Sequence, residues 1–385
     1  APPAPVIGAR ATRDAPMPVD HLSIRGFRSY RELDIDFPGG PQVVVGHNAA
    51  GKTNLLEAMV VLSQGGSHRT TSDQELITWG EPMARLDATV TSGRIEVVML
   101  ATGSIPGARK RVKVNGVPRR TSALSGALRA VVFAPEDMQL VVGSPSLRRN
   151  SLDTLVTQHV GAAAGVMSTY TRALTQRNNL LRRVREEAAG RDELRYWDDV
   201  VVQEGGRILE WRAETLRALA APLADAHAEI APGEGQLTLR SISNAAPGAG
   251  ESFEDALRRR LVETADKEIW NGATLVGPHR DDVAFDLDER DLSGFASRGQ
   301  QRTAILAFKL AQLDLLTRVD GRAPLLLLDD VFSELDPQRR GHLVRRIGGL
   351  PQAFVTTTAL ADLDPALVAA ATAWQVVPGR LERVG

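Results

Sequence analysis

Gly46-His47-Asn48-Ala49-Ala50-Gly51-Lys52-Thr53 is the stretch that decides the fold. It fits G-x-x-x-x-G-K-[ST], a loop whose backbone N–H groups cradle phosphates while the lysine reaches the terminal ones and the hydroxyl ligates magnesium. Val43-Val44-Val45 before it reads as a short buried strand, and Asn54 to Leu62 after it as a helix. The motif therefore has the strand-to-helix context it requires, although an ordinary strand-to-helix turn could carry the same residues. A helix N-terminus at this point adds a partial positive charge where phosphate would lie.

Far downstream, four leucines, Leu325 to Leu328, run into Asp329 and Asp330. Alone, such a run is a buried parallel strand with a polar exit. Together with the phosphate loop it completes a nucleoside triphosphatase. The strand delivers Asp329 to the carboxyl edge of a sheet, where ligands of open α/β folds bind. Asp329 is expected to hold magnesium with Thr53, and Asp330 to orient or deprotonate the attacking water, with Lys52 as the other catalytic group. Just upstream, Ser297-Arg298-Gly299-Gln300-Gln301 opens a helical stretch from Arg302 to Leu316. A small hydroxyl, a glycine and an amide at a helix start form a second anion-ready surface, or simply an N-cap with a flexible loop. Ser333-Glu334-Leu335-Asp336-Pro337 follows the acids.

Phosphate loop, Ser-x-Gly-Gln helix start, apolar strand with acids and Ser-Glu-Leu-Asp, in that order, resemble the ABC-type ATPase module shared by transporters, SMC proteins and their DNA-repair relatives. The resemblance is narrower still to the RecF family of bacterial recombination ATPases, and runs from Met17 onward. His21-Leu22-Ser23-Ile24-Arg25-Gly26-Phe27-Arg28-Ser29-Tyr30 is similar to that family's opening strand and Phe-Arg-Ser-Tyr turn. Gly51 to Ala58, Gly66-Ser67-His68-Arg69-Thr70, Phe133-Ala134-Pro135-Glu136-Asp137, Gly277-Pro278-His279-Arg280-Asp281-Asp282 and Asp329 to Asp336 continue it. One departure is Asn150-Ser151-Leu152-Asp153, where the family pattern has an aromatic before Leu-Asp.

The resemblance implies ATP and Mg2+ as ligands, with Gly46 to Thr53, Asn54, Arg28 and Ser29 around the nucleotide. It also implies an ATP-dependent homodimer, in which Ser297, Gly299, Gln300 and Asp336 of one copy meet the ATP held by the other. Weak, DNA-stimulated hydrolysis would time release from gapped or junction DNA. RecR and RecO are the implied partners in loading the recombinase. The competing class is the ATPase subunit of an ABC transporter. Against it, Ser-Arg-Gly-Gln stands where transporters prefer Ser-Gly-Gly-Gln, and Val355-Thr356-Thr357-Thr358 where they place a switch histidine. A long-armed SMC protein is excluded by the length of the insert.

Composition bounds the setting. With 385 residues the chain can bury a large core in two lobes. It has no cysteine, which suits a reducing cytoplasm, and its seven histidines lack metal-ligand spacing. No apolar stretch reaches the ~18 to 20 residues of a membrane span. Residues 1–16, rich in proline and charge, read as a flexible extension with Met17 a plausible natural start.

A net charge of −1 argues against a globally basic nucleic-acid binder, so any DNA contact must be local. Arg109-Lys110-Arg111 with Lys113 leads into Asn115-Gly116, a hairpin signal, and Arg119-Arg120 follows. Such runs usually form a solvated face; the family resemblance turns this one toward phosphate contact. Arg148-Arg149 and Arg258 to Arg260 are further basic clusters. Aromatics make up only 4% of the chain, against base stacking and for backbone recognition.

The fold expected is α/β: an ABC-type ATPase head, a mixed sheet with a phosphate loop, carrying an inserted α-helical arm. The first half of the ATPase lobe covers 17–150, the arm 151–250 and the second half 251–385. Val156, Val160, Ala163, Met167, Tyr170, Leu174, Leu181 and Val184 keep helical spacing, and Gly190-Arg191-Asp192 breaks it. A second stripe, Leu209, Ala213, Leu216, Ala220 and Leu223, predicts a returning antiparallel helix.

Overall fold

A computed structural model describes residues 18–101 and 110–384; the expected extension 1–16 lies outside them. The chain divides into two compact units, one formed by 1–135 with 312–385 and the other by 136–311.

The first unit begins with β1 (Val19–Phe27), β2 (Tyr30–Asp36), β3 (Gly40–Val45), helix α1 (Lys52–Gln64), β4 (Met83–Val90), β5 (Gly93–Leu100), β6 (Lys110–Val114), β7 (Val117–Arg119) and β8 (Ala130–Phe133). The second unit supplies β9 (Leu237–Ile242), β10 (Asp282–Leu287) and β11 (Arg290–Asp291). The first then resumes with β12 (Leu325–Leu328), β13 (Gln352–Thr357), β14 (Thr372–Val377) and β15 (Arg380–Arg383).

Two sheets build the first unit. One is antiparallel, in the order β2-β1-β4-β5-β6-β7. Period-two alternation explains its two faces: Leu22, Ile24, Leu86, Ala88, Ile95 and Val97 point into the core, and Arg25, Arg85 and Glu96 away from it. Asn115 and Gly116 both take positive φ, 54° and 76°, the turn that closes a two-residue hairpin between β6 and β7. The other sheet runs β15-β14-β3-β13-β12-β8, parallel from β14 to β8. Its strand β12 is four buried leucines because both of its faces are covered. Helix α1 lies between, burying Leu55, Leu56, Met59 and Leu62 in the same core.

The second unit is mostly helical, with helices Pro145–His159, Ala163–Arg185, Arg195–Ile230 and Phe253–Asn271 and the small sheet β11-β10-β9. The unbroken stripe expected from Val156 to Val184 is two helices, divided at Val160 to Ala162. The returning helix is present and long, at 36 residues. The arm differs from the boundaries expected for it: the unit runs 136–311, not 151–250. The reason is β9, hidden in the Pro- and Gly-rich stretch 231–250. It pairs with β10 and so keeps the residues after 250 in the same unit. Among the described residues no helix is long and apolar enough to cross a membrane.

Candidate nucleotide-binding site

The phosphate loop leaves the end of β3 and enters α1. Gly51 has φ of 116°, and a Cβ there would sit 2.9 Å from Ser29 Oγ and 3.2 Å from Tyr30 Oη, so only glycine fits. Tyr30 Oη donates to Gly51 O at 3.1 Å, fixing the turn. Ala49 is also left-handed, with φ of 64°, a strain of roughly 1 to 2 kcal/mol held by the surrounding loop. No side chain caps the start of α1 and no acid lies in its first turn, which leaves the helix N–H groups available to an anion.

Lys52 is buried, and its Nζ donates to Gly46 O at 2.6 Å and His47 O at 3.1 Å. Burial lowers its pKa, while the charges of Asp330 and Asp329 act in the opposite direction. The lysine thus feels both carboxylates that the sequence placed in the site. This proximity follows from topology, because β13 pairs with β3 on one side and β12 on the other. Loop and acids emerge from the same edge of the sheet, one strand apart.

Asp329 is buried at the end of β12, its N–H donating to Phe133 O at 2.9 Å. Thr356 Oγ1, on β13, donates to Asp329 Oδ1 at 2.7 Å and accepts from Asp330 N at 2.9 Å. Thr356 thereby orients the Asp329 carboxylate and fixes the backbone at Asp330, a role that sequence reasoning missed. Asp330 adopts φ of 52°, and Ser333 Oγ donates to its carbonyl at 2.8 Å. Asp329 and the Thr53 hydroxyl are hard oxygen donors of the kind Mg2+ takes, with water and nucleotide phosphates completing its shell. Among the described residues no group of three or more His, Cys, Asp or Glu could hold a metal.

On α1, the fully buried Glu57 is a hub: Arg28 Nε and Nη2 donate to it at 2.9 and 2.8 Å, and Arg69 and Ser67 also bond it. Burial alone would raise its pKa, but hydrogen bonds from Arg28 and Ser67 and the charges of Arg28 and Arg69 outweigh this and hold it below the usual carboxylate range. Arg28 Nη1 also donates to Glu75 O at 2.9 Å. The arginine expected at the nucleotide is therefore anchored laterally, with three of its five N–H groups engaged. Asn54 Nδ2 donates to Ser29 Oγ at 2.9 Å. Arg28, Ser29, Asn54 and Arg69 line one cleft of about 890 Å3. His47, Asn48 and Ala49 are exposed along the loop, and Ala50 is half-buried.

The remaining expected residues lie elsewhere in the chain. Ser297 caps the helix Arg298–Asp320 reciprocally: its N–H donates to Gln300 Oε1 at 3.0 Å and its Oγ accepts from Gln300 N at 3.3 Å. The N-cap reading of this segment is thus realised, and Ser297 remains exposed, with Gly299 half-buried beside it. Asp336 caps the helix Pro337–Gly348, accepting from Gln338 N and Arg339 N at 3.0 Å. Of the basic hairpin, Arg109 lies outside the described residues. Lys110 bonds Asp73 at 2.7 Å and Lys113 bonds Glu96 at 2.9 Å, whereas Arg111 is exposed and makes no ion pair among the described residues. Arg148 makes two 2.7 Å hydrogen bonds to Asp282, and Arg258, Arg259 and Arg260 pair with Asp199, Glu251 and Glu263.

The Gly277 to Asp282 segment is an internal brace of the second unit. Tyr170 Oη lies 2.7 Å from His279 Nδ1, whose Nε2 lies 3.1 Å from Thr274 O. A Cβ on Gly277, where φ is 118°, would come within 2.8 Å of Tyr170 Oη. Arg212 donates to Pro278 O and to both oxygens of Asp153, so the Leu-Asp pair after Ser151 is locked in place despite the missing aromatic.

Comparison with known proteins identifies the family. Residues 18–367 match the family model described as RecF/RecN/SMC N terminal domain. A protein of Heliobacterium modesticaldum named DNA replication and repair protein RecF is 40% identical over 95% of this chain and 99% of its own. A solved structure described as the recombination mediator protein RecF-ATP in the RecFOR pathway is 29% identical, with a TM-score of 0.87 over 96% of this chain and 98% of its own. An Smc head domain from Pyrococcus furiosus, 16% identical, has a TM-score of 0.51 over 96% of both chains and shares the fold. The chain belongs to the RecF family of ABC-type ATPases.

Proposed function

We propose that this chain is a DNA-repair ATPase that binds ATP with Mg2+ at the Gly46 to Thr53 loop, dimerises around it and acts on DNA. The observation that carries the reading is the convergence of Lys52 with Asp329 and Asp330, which flank one strand and act electrostatically on the lysine. Phosphates would take the α1 N–H groups and draw Lys52 from its two loop carbonyls. Thr53 and Asp329 would hold Mg2+, which supplies neutralisation of phosphate charge. Asp330 would accept the proton of the attacking water as its oxygen bonds to the γ-phosphorus and the bond to ADP breaks.

Ser297, Gly299, Gln300 and Asp336 would close on the ATP held by a second copy. Support for this is the exposure of Ser297 at the start of a 23-residue helix, whose N-terminus carries the positive end of the helix dipole. Hydrolysis, weak and stimulated by DNA, would release the dimer. Gapped or junction DNA, RecR and RecO would be its partners in a cytoplasmic setting; similarity to a recombination mediator protein described within the RecFOR pathway supports the recombinational role. Arg111, Arg119 and Arg120, all exposed on the hairpin, are the favoured contacts to DNA phosphates.

Lys52→Ala tests the reading. Loss of a charge-assisted phosphate contact costs ~1.5 to 3 kcal/mol, roughly ten- to a hundredfold in ATP affinity. An unchanged titration would remove the phosphate-loop assignment.

A further inference from the structure

Trp79 is 96% exposed, more than any other large apolar side chain among the described residues. The segment that carries it, however, is held firmly. Thr78 N donates to Gly26 O and Thr78 Oγ1 to Arg28 O, both at 2.8 Å, and Glu81 N donates to Thr78 O at 2.9 Å. Arg28 N donates in turn to Leu76 O at 2.8 Å, and Ile77 bridges to Phe27. An indole on an anchored segment with an unpacked ring has that ring free to stack on a ligand.

What it faces is the cleft of about 890 Å3 that it lines together with Arg28, Ser29, Asn54 and Arg69. That cleft adjoins the phosphate loop at two places. Asn54 directly follows Thr53, and Ser29 Oγ lies 2.9 Å from the position a Cβ on Gly51 would take. Lys52 draws the terminal phosphates to one end of the loop, so the α-phosphate lies toward the start of α1. The nucleoside then leaves the loop into this cleft, whose volume is within the range of small-molecule sites.

We infer that Trp79 is the base-recognising wall of the nucleotide site: its indole stacks on the ring of the bound nucleotide and favours the larger purine over a pyrimidine. This rests on the phosphate-loop reading above and extends it to a residue on a separate segment. Sequence alone gave no hint of it, since one tryptophan between Thr78 and Gly80 has no period or motif.

The test is a set of titrations of the full chain with ATP, CTP and inorganic tripolyphosphate, each with Mg2+, for the parent chain, Trp79→Ala and Trp79→Phe. Base stacking on an aromatic predicts that Trp79→Ala weakens ATP binding by about five- to a hundredfold. Tripolyphosphate affinity should be unchanged, the ATP preference over CTP should narrow, and Trp79→Phe should keep most of the ATP affinity. ATP should also alter the indole fluorescence of the parent chain and lose most of that signal in Trp79→Phe. Equal ATP affinity in Trp79→Ala and the parent would overturn the inference, as would an equal loss for ATP and tripolyphosphate. A parent chain that binds neither ATP nor tripolyphosphate would overturn the phosphate-loop reading itself. Weakened DNA binding with normal ATP affinity would assign Trp79 to a nucleic-acid surface and refute the base wall.

Discussion

Thr356→Val removes one hydroxyl and nearly nothing else, since valine keeps the side-chain volume and suits the buried strand β13. Two hydrogen bonds disappear with it: the buried one donated to Asp329 Oδ1 at 2.7 Å and the part-buried one accepted from Asp330 N at 2.9 Å. A buried group left unsatisfied costs about 1 to 3 kcal/mol, with the carboxylate toward the upper end. The two together predict a loss of roughly 2 to 5 kcal/mol in urea unfolding. The functional consequence is more specific. With Asp329 no longer oriented, the Mg2+-dependent part of ATP binding and the turnover rate should both fall, while Mg2+-free nucleotide binding at the loop should persist. Thr356→Ser, which restores the hydroxyl, should recover most of both. The measurements are urea denaturation, ATP titration with and without Mg2+, and phosphate release. A Thr356→Val chain as stable and as active as the parent would refute the orienting role, and so would a Thr356→Ser chain as damaged as Thr356→Val.

Two further outcomes follow from the same geometry. Asp330→Asn should keep ATP and Mg2+ bound because Asp329 remains, yet slow phosphate release, whereas Asp329→Asn should weaken the Mg2+-dependent binding; identical affinity and turnover in both would contradict their separate roles. His279, whose pKa burial depresses to about 4, is neutral in the native state and gains a proton on unfolding below its ordinary value near 6.5. Stability should therefore decline as pH falls from about 6.5 toward 4, by up to about 3 kcal/mol at roughly 1.4 kcal/mol per pH unit. Urea midpoints across that range should flatten in His279→Gln, and an unaltered slope would remove His279 as the titrating group.

Sequence was most informative where chemistry demands a contiguous motif. The phosphate loop, its flanking strand and helix, the leucine strand and the hairpin turn each carry their determinants within a few residues, and all take the expected form. It was least informative where function depends on residues brought together by pairing. Thr356 sits 26 residues beyond Asp330 and reaches it only because β12 and β13 are parallel neighbours. The basic hairpin reads as a run of positive charge along the chain, but register puts Lys113 opposite Glu96 and neutralises part of it. Likewise the Pro- and Gly-rich stretch that reads as the end of the arm hides β9, whose partner β10 comes much later.

Most direct for the ATP-clamped dimer is light scattering of the full chain with ATP and Mg2+, alongside Ser297→Arg and a nucleotide titration of the same samples. The parent chain should double in mass when ATP is added. Ser297→Arg should bind ATP nearly normally, because its own Gly46 to Thr53 loop is untouched, but remain monomeric and hydrolyse ATP close to background. An unpaired charge buried in the closed seam would cost several kcal/mol. A parent chain that stays monomeric with ATP bound, or a Ser297→Arg chain that dimerises and hydrolyses ATP normally, would contradict the account and leave Ser297 as a helix cap alone.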